Sequence, residues 1–165
     1  MHYRLTLAIA VTLAICAAPA SSAAEAGEAT APNLAAGPIA DPILDRLDAA
    51  WDAADGTRFA AEFTDDADVI NIFGEAYKGR ADLARRMQLI FDGLFKGSRH
   101  AGRELEMARY LSPDTILIVS SSRVAVPSGP LSPETHNRQT FILVRDGDTW
   151  RIRHWHNTTI GRPGA

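Results

Sequence analysis

The last third of the chain limits the fold more than any other stretch. "TILIVSSSRVAV" (115–126), "THNRQTFILV" (135–144) and "TWRIRHWHNTTI" (149–160) are strand-type runs rich in β-branched and aromatic residues. Asp146-Gly147-Asp148 lies between the last two and is a strong hairpin signal. "RELEMARYL" (103–111) alternates and is turned into the next run by Ser112-Pro113-Asp114, while "PSGPLSPE" (127–134) is too rich in proline to hold a ladder. Runs joined by turns this short pair antiparallel.

Helical signals come earlier. In "DPILDRLDAAWDAADG" (41–56) Asp41 can cap, Pro42 fits the first helical position and Gly56 can stop the helix. Leu44, Leu47, Trp51 and Ala54 fall on one face. A short helix over 57–63 is expected next. "ADVINIF" (67–73) then reads as a strand and "EAYKG" (75–79) as a brief return strand. "RADLARRMQLIFDGLF" (80–95) reads as a long helix with Leu83, Met87, Ile90 and Leu94 on its apolar stripe, and "KGSRHAG" (96–102) as loop. Early helices and late strands predict an α+β fold with a mostly antiparallel sheet.

The N-terminus predicts export. Arg4, an uninterrupted apolar run over 5–18 and the small residues of "PASSAA" have the layout of a cleavable signal peptide over 1–23. The run is short for a membrane span, so no membrane attachment is expected after cleavage. Cys16 is the single cysteine and would leave with the signal, which excludes thiol chemistry in the remainder. Residues 24–40, rich in Ala, Gly and Pro, read as a disordered leader, 41–160 as the domain and 161–165 as a tail. Without the signal the chain carries 16 Lys and Arg against 20 Asp and Glu, with no basic cluster. Nucleic acid is therefore not an expected partner.

A tryptophan in the first helix, then "FTDDADVINIFG", "YKGRADL" and finally W-R-I leading to "HNT" make a pattern that resembles the SnoaL-like branch of the NTF2-like superfamily, closest to its SgcJ/EcaC-type subgroup. The resemblance covers about residues 41–160. It implies an NTF2-like (cystatin-like) cone: a curved, mostly antiparallel sheet wrapped around the N-terminal helices and one long helix, with a pocket at the wide end. It also implies a small hydrophobic molecule as ligand and frequent homodimers through the outer sheet face. Relatives include isomerases, dehydratases, cyclases and hydrolases as well as association modules without chemistry, so fold alone does not choose among them. No G-x-G-x-x-G or other nucleotide fingerprint is present and no cofactor is expected.

Within such a pocket the last strand supplies two histidines. Strand alternation groups Trp150, Ile152, His154, His156 and Thr158 on one face, and Arg151, Arg153, Trp155 and Asn157 on the other. The apolar start of the first set turns His154 and His156 inward and leaves Trp155 for a dimer seam, unless a bulge intervenes. Inward histidines permit acid–base catalysis, with Asp66 or Asp68 as a partner carboxylate. They also permit a His-x-His metal site, with His136 as a third ligand if it shares their face, or plain structural hydrogen bonding. His154, His156 and Asp68 are the catalytic candidates, and no metal is assigned. Asp68 and Asn71 cannot both face inward on a regular strand. Trp51, Asn71, Phe73, Tyr77, Arg138 and Thr140 are candidate ligand contacts. His100, in the expected loop, is read as exposed.

Overall fold

The computed structural model describes residues 33–161. The expected signal peptide, most of the leader and nearly all of the tail lie outside them. No helix among the described residues is long and apolar enough to cross a membrane.

The elements are α1 (Gly37–Asp52), α2 (Gly56–Ala60), β1 (Phe63–Ile70), β2 (Ala76–Lys78), α3 (Arg80–Asp92), β3 (Arg99–Ser112), β4 (Thr115–Ala125), β5 (Glu134–Asp146) and β6 (Thr149–Thr159). The six strands form one sheet in the order β2-β1-β6-β5-β4-β3. Every pairing is antiparallel except that of β1 with β6. The α+β class with a mostly antiparallel sheet is thus as expected, and β6 lies at its centre although it comes last in the chain.

Helix α1 starts four residues before Asp41, and Asp41 does not cap it. Ala36 is fully buried and donates its N–H to the Ala108 carbonyl, which ties this end of the helix to β3. Residues 33–40, expected as disordered leader, therefore belong to the folded unit. Pro38 occupies the first turn, where a missing N–H costs nothing. Ile43, Leu44, Leu47, Ala50 and Trp51 bury the apolar face.

Gly56 does not stop α1; it opens α2. A Cβ there would lie 2.5 Å from the Ala84 carbonyl oxygen and 2.7 Å from the Gln88 nitrogen, so glycine is what lets α2 approach the backbone of α3. Aromatic residues fill the space between helices and sheet. Trp51 meets Phe91 and Phe95 edge-on, each at 5.1 Å, and Phe141 stacks on Trp155 at 6.1 Å.

Two bulges set which side chains reach that space. In β6, Leu143 pairs with Ile152 and Ile142 with His154, so Arg153 is the extra residue. Parity reverses there: Ile152, Trp155 and Asn157 are buried against the helices, His154 is half-buried on the outer face and His156 is exposed. The inward orientation expected of the two histidines is therefore corrected, as is the placement of Trp155 at an outer seam. Burying an indole of about 200 Å² contributes up to roughly 5 kcal/mol, more than burying an imidazole. Arg153, set free by the bulge, donates to the Asp66 carbonyl and lies 3.3 Å from the Asp66 carboxylate.

The second bulge is in β3, whose first residues were expected to be loop. His100 pairs with Val124 and Gly102 with Arg123, leaving Ala101 extra. Gly102 has φ of 143°, a region that disfavours side chains. The shift turns both His100 and Arg103 towards α1, although three positions on a regular strand would put them on opposite faces.

Candidate functional site

Helix α1 carries Asp45, Asp48 and Asp52 at i, i+3 and i+7, a polar stripe beside its apolar one. The bulged start of β3 lies along this stripe. Asp52 accepts the backbone N–H of His100 at 2.8 Å. Asp48 Oδ1 lies 3.3 Å from His100 Nε2. Arg103 reaches Asp48 through one guanidinium nitrogen and Asp45 through another. The His100 side chain is 14% exposed, so it is a partly buried strand residue and not the exposed loop residue expected from the sequence. Burial pushes the Asp48 carboxyl above its ordinary value, against the opposite pull of His100 and Arg103.

The geometry orients the imidazole. When Asp48 is ionised it can only accept, so a hydrogen on His100 Nε2 suits this carboxylate at 3.3 Å. In the neutral ring Nδ1 is then left with a free lone pair. That atom is buried and has no hydrogen-bond partner within the protein.

His100 lines a small recess of about 20 Å³ together with Asp48, Trp51, Ser122, Asn137, Gln139, Trp155 and Asn157 among others. This is room for about one water molecule. Six buried side-chain polar atoms among the described residues lack a partner. Five of them, His100 Nδ1, Ser122 Oγ, Asn137 Oδ1, Trp155 Nε1 and Asn157 Oδ1, belong to residues lining the recess. An orphaned buried polar group typically costs about 1–3 kcal/mol, so a polar partner held in the recess would be stabilised.

The recess meets a cavity of about 280 Å³ at Trp51, Asn137, Trp155 and Asn157, which line both. Ile72, Phe73, Met87, Ile90, Leu94 and Phe95 give the larger space an apolar lining. Phe73 is 60% exposed. Asn71, Glu75 and Tyr77 form a closed polar cluster on its wall: Asn71 Nδ2 donates to the Tyr77 oxygen and, at 3.0 Å, to Glu75, and the Tyr77 hydroxyl donates to Glu75 at 3.0 Å. Burial, reinforced by Glu75, raises the Tyr77 phenol above its ordinary value and keeps it a donor. Asn71 Oδ1 accepts from the backbone of Phe73 and Glu75, so the asparagine also shapes the β1–β2 turn.

Of the residues expected from the sequence, Trp51, Asn71, Phe73 and Tyr77 line the cavity. The others do not. Asp68 faces outward, and its nearest cation is Arg153 at 3.8 Å. That resolves the conflict within β1: Val69 and Asn71 are the inward pair. Arg138 is held on the outer face by Glu106 at 2.9 Å. Thr140 pairs with His156 on the same face, and the two share a shallow depression with Arg138. His136 is exposed, and no group of three or more potential metal-binding side chains occurs among the described residues.

None of Asp48, His100, Ser122, Asn137 and Asn157 was among the candidates expected from the sequence, which reads His100 as exposed and puts Asn157 on the outer face. For Asp48 a signal existed: it sits four residues after Leu44 and three before Trp51, at the edge of the buried face. For His100 none did, because its direction depends on the bulge at Ala101.

A curved, mostly antiparallel sheet packed on helices around an apolar cavity defines the class, a cystatin-like α+β fold. The chain belongs to the SnoaL-like domain family, whose model matches residues 41–160. Among solved structures it is similar to a cystatin-like domain from Nostoc punctiforme, with 25% identity, a TM-score of 0.66 and coverage of 73% of this chain and 75% of that one. It also resembles a putative scytalone dehydratase from Novosphingobium aromaticivorans, with 14% identity, a TM-score of 0.66 and coverage of 78% and 86%. A hexachlorocyclohexane dehydrochlorinase is similar at 14% identity and a TM-score of 0.66, with coverage of 80% and 97%. At that identity the likeness concerns the fold. No curated protein matches the chain.

Proposed function

We propose that this is an exported acid–base enzyme of the isomerase, dehydratase or cyclase kind, acting without a cofactor on a small, largely apolar molecule. The order of its sequence motifs supports a place in the SgcJ/EcaC-type subgroup. The carrying observation is the Asp48–His100 pair, whose free Nδ1 lines a recess opening beside the apolar cavity. His100 is the base, and Asp48, an acceptor beside Nε2, holds its tautomer. In an elimination, a substrate C–H bond breaks, its proton goes to Nδ1, the electron pair forms the new double bond and the leaving group departs on the far carbon. Two proteins of this fold are named for eliminations, a dehydratase and a dehydrochlorinase. The role first expected of His154 and His156 thus passes to His100.

The test begins with the molecule retained by protein purified from native extract, identified by mass spectrometry and followed in D2O for turnover or proton exchange. His100→Asn should lower the rate about 10²–10⁴-fold with the fold intact. An unchanged rate refutes the assignment. A second reading, a homodimeric module, is favoured by half-buried Met107, Leu117, Val119, Ile142 and Val144 on the outer sheet face. The two are compatible.

A further inference from the structure

The orphaned atoms of the recess specify what enters it. Resting on the acid–base reading above, we infer that the recess is a subsite for a single neutral hydroxyl group, and that the ligand is an apolar ring compound carrying one. Size comes first: about 20 Å³ admits one hydroxyl and excludes a methoxy or carboxylate group. Polarity comes second. His100 Nδ1, Asn137 Oδ1 and Asn157 Oδ1 are acceptors, Trp155 Nε1 is an obligate donor and Ser122 Oγ serves as either. Asn137 is oriented by its own Nδ2, which donates to Thr135 Oγ1 at 3.1 Å. Acceptors thus outnumber donors, and only a group that both donates and accepts answers them.

A carbonyl oxygen accepts but leaves the acceptors unpaired. A carboxylate meets the lone pairs of three acceptors with the Asp48 carboxylate behind the ring. The only cation lining the recess, Arg103, is already held by Asp45 and Asp48. A hydroxyl can take the indole N–H as donor and give its own proton to an asparagine oxygen, which leaves Nδ1 free as the base. The rest of the molecule then lies in the 280 Å³ cavity, about fourteen times the volume of the recess, which suits one or two fused rings.

The experiment compares 2-naphthol, 2-methoxynaphthalene and 2-naphthoate at pH 7, with binding measured by calorimetry and by quenching of tryptophan fluorescence. The naphthol should bind at least tenfold more tightly than its methyl ether, and the naphthoate should be weakest. In Asn157→Leu, with its melting temperature checked, the preference of naphthol over ether should shrink to within threefold. A naphthol no tighter than the ether, whether both bind or neither does, overturns the proposal, as does a naphthoate that binds best. So does a folded Asn157→Leu that keeps the full preference, since the hydroxyl would then sit elsewhere. Failure of the acid–base reading looks different: the naphthol preference stands while His100→Asn turns over native ligand at the wild-type rate.

Discussion

Asp48 is a carboxylate that the fold holds at a cost. Its value is raised by burial, so the folded state binds its proton more tightly than the unfolded chain does. The stabilisation this gives is fully present below the ordinary carboxylate range and is lost as pH rises through the raised folded value. Asp48→Asn should therefore gain stability relative to the parent between pH 3 and pH 7, read as a rising difference in melting temperature. A difference that falls over this range would mean that the ion pair with Arg103 outweighs the burial. His154 and His156 lie on the other side of the sheet and line neither the recess nor the apolar cavity. His154→Ala and His156→Ala should each change stability by no more than about 0.5 kcal/mol. Both should leave ligand retention unaltered, as read by mass spectrometry of the purified variants.

Single insertions at the level of the element decide which residues become functional. The extra residue at Arg153 exchanges a histidine for an indole on the inner face of β6, and the one at Ala101 brings His100 and Arg103 to the same side of β3. Alternation along a strand is legible in sequence; the position of a bulge is not, because it is chosen by what packs against the strand. Gly56 makes the same point for helices. It has the appearance of a stop signal, yet its constraint comes from α3, some thirty residues later. Gly56→Ala should cost about 1–3 kcal/mol, since the obstructing atoms are backbone and cannot swing aside. Thermal denaturation would show this as a loss of several degrees, and an unchanged melting temperature would mean that the two helices separate freely.

Across the whole folded unit the sheet has two different faces. The inner face carries the aromatic core and the recess; the outer carries a strip of half-buried aliphatic residues between charged neighbours. If the strip is a seam between two copies, light scattering at micromolar concentration should report a dimer, and Val119→Glu should split it without emptying the cavity. A monomer in the parent protein removes the association reading and leaves the pocket untouched. The periodicity and turn residues of this chain marked most of its elements and the antiparallel pairing of its later strands, and its resemblance to a known family implied the pocket whose wall includes Trp51, Asn71, Phe73 and Tyr77. These depend on local spacing and on the hydrophobic pattern, both of which are written along the chain. The tertiary structure alone decided that His100 rather than His154 faces Asp48, and that Asn137 and Asn157 converge on the same recess. Those choices depend on bulges and on contacts between residues some fifty or more positions apart, where the burial of one aromatic ring outweighs the alternation of an entire strand.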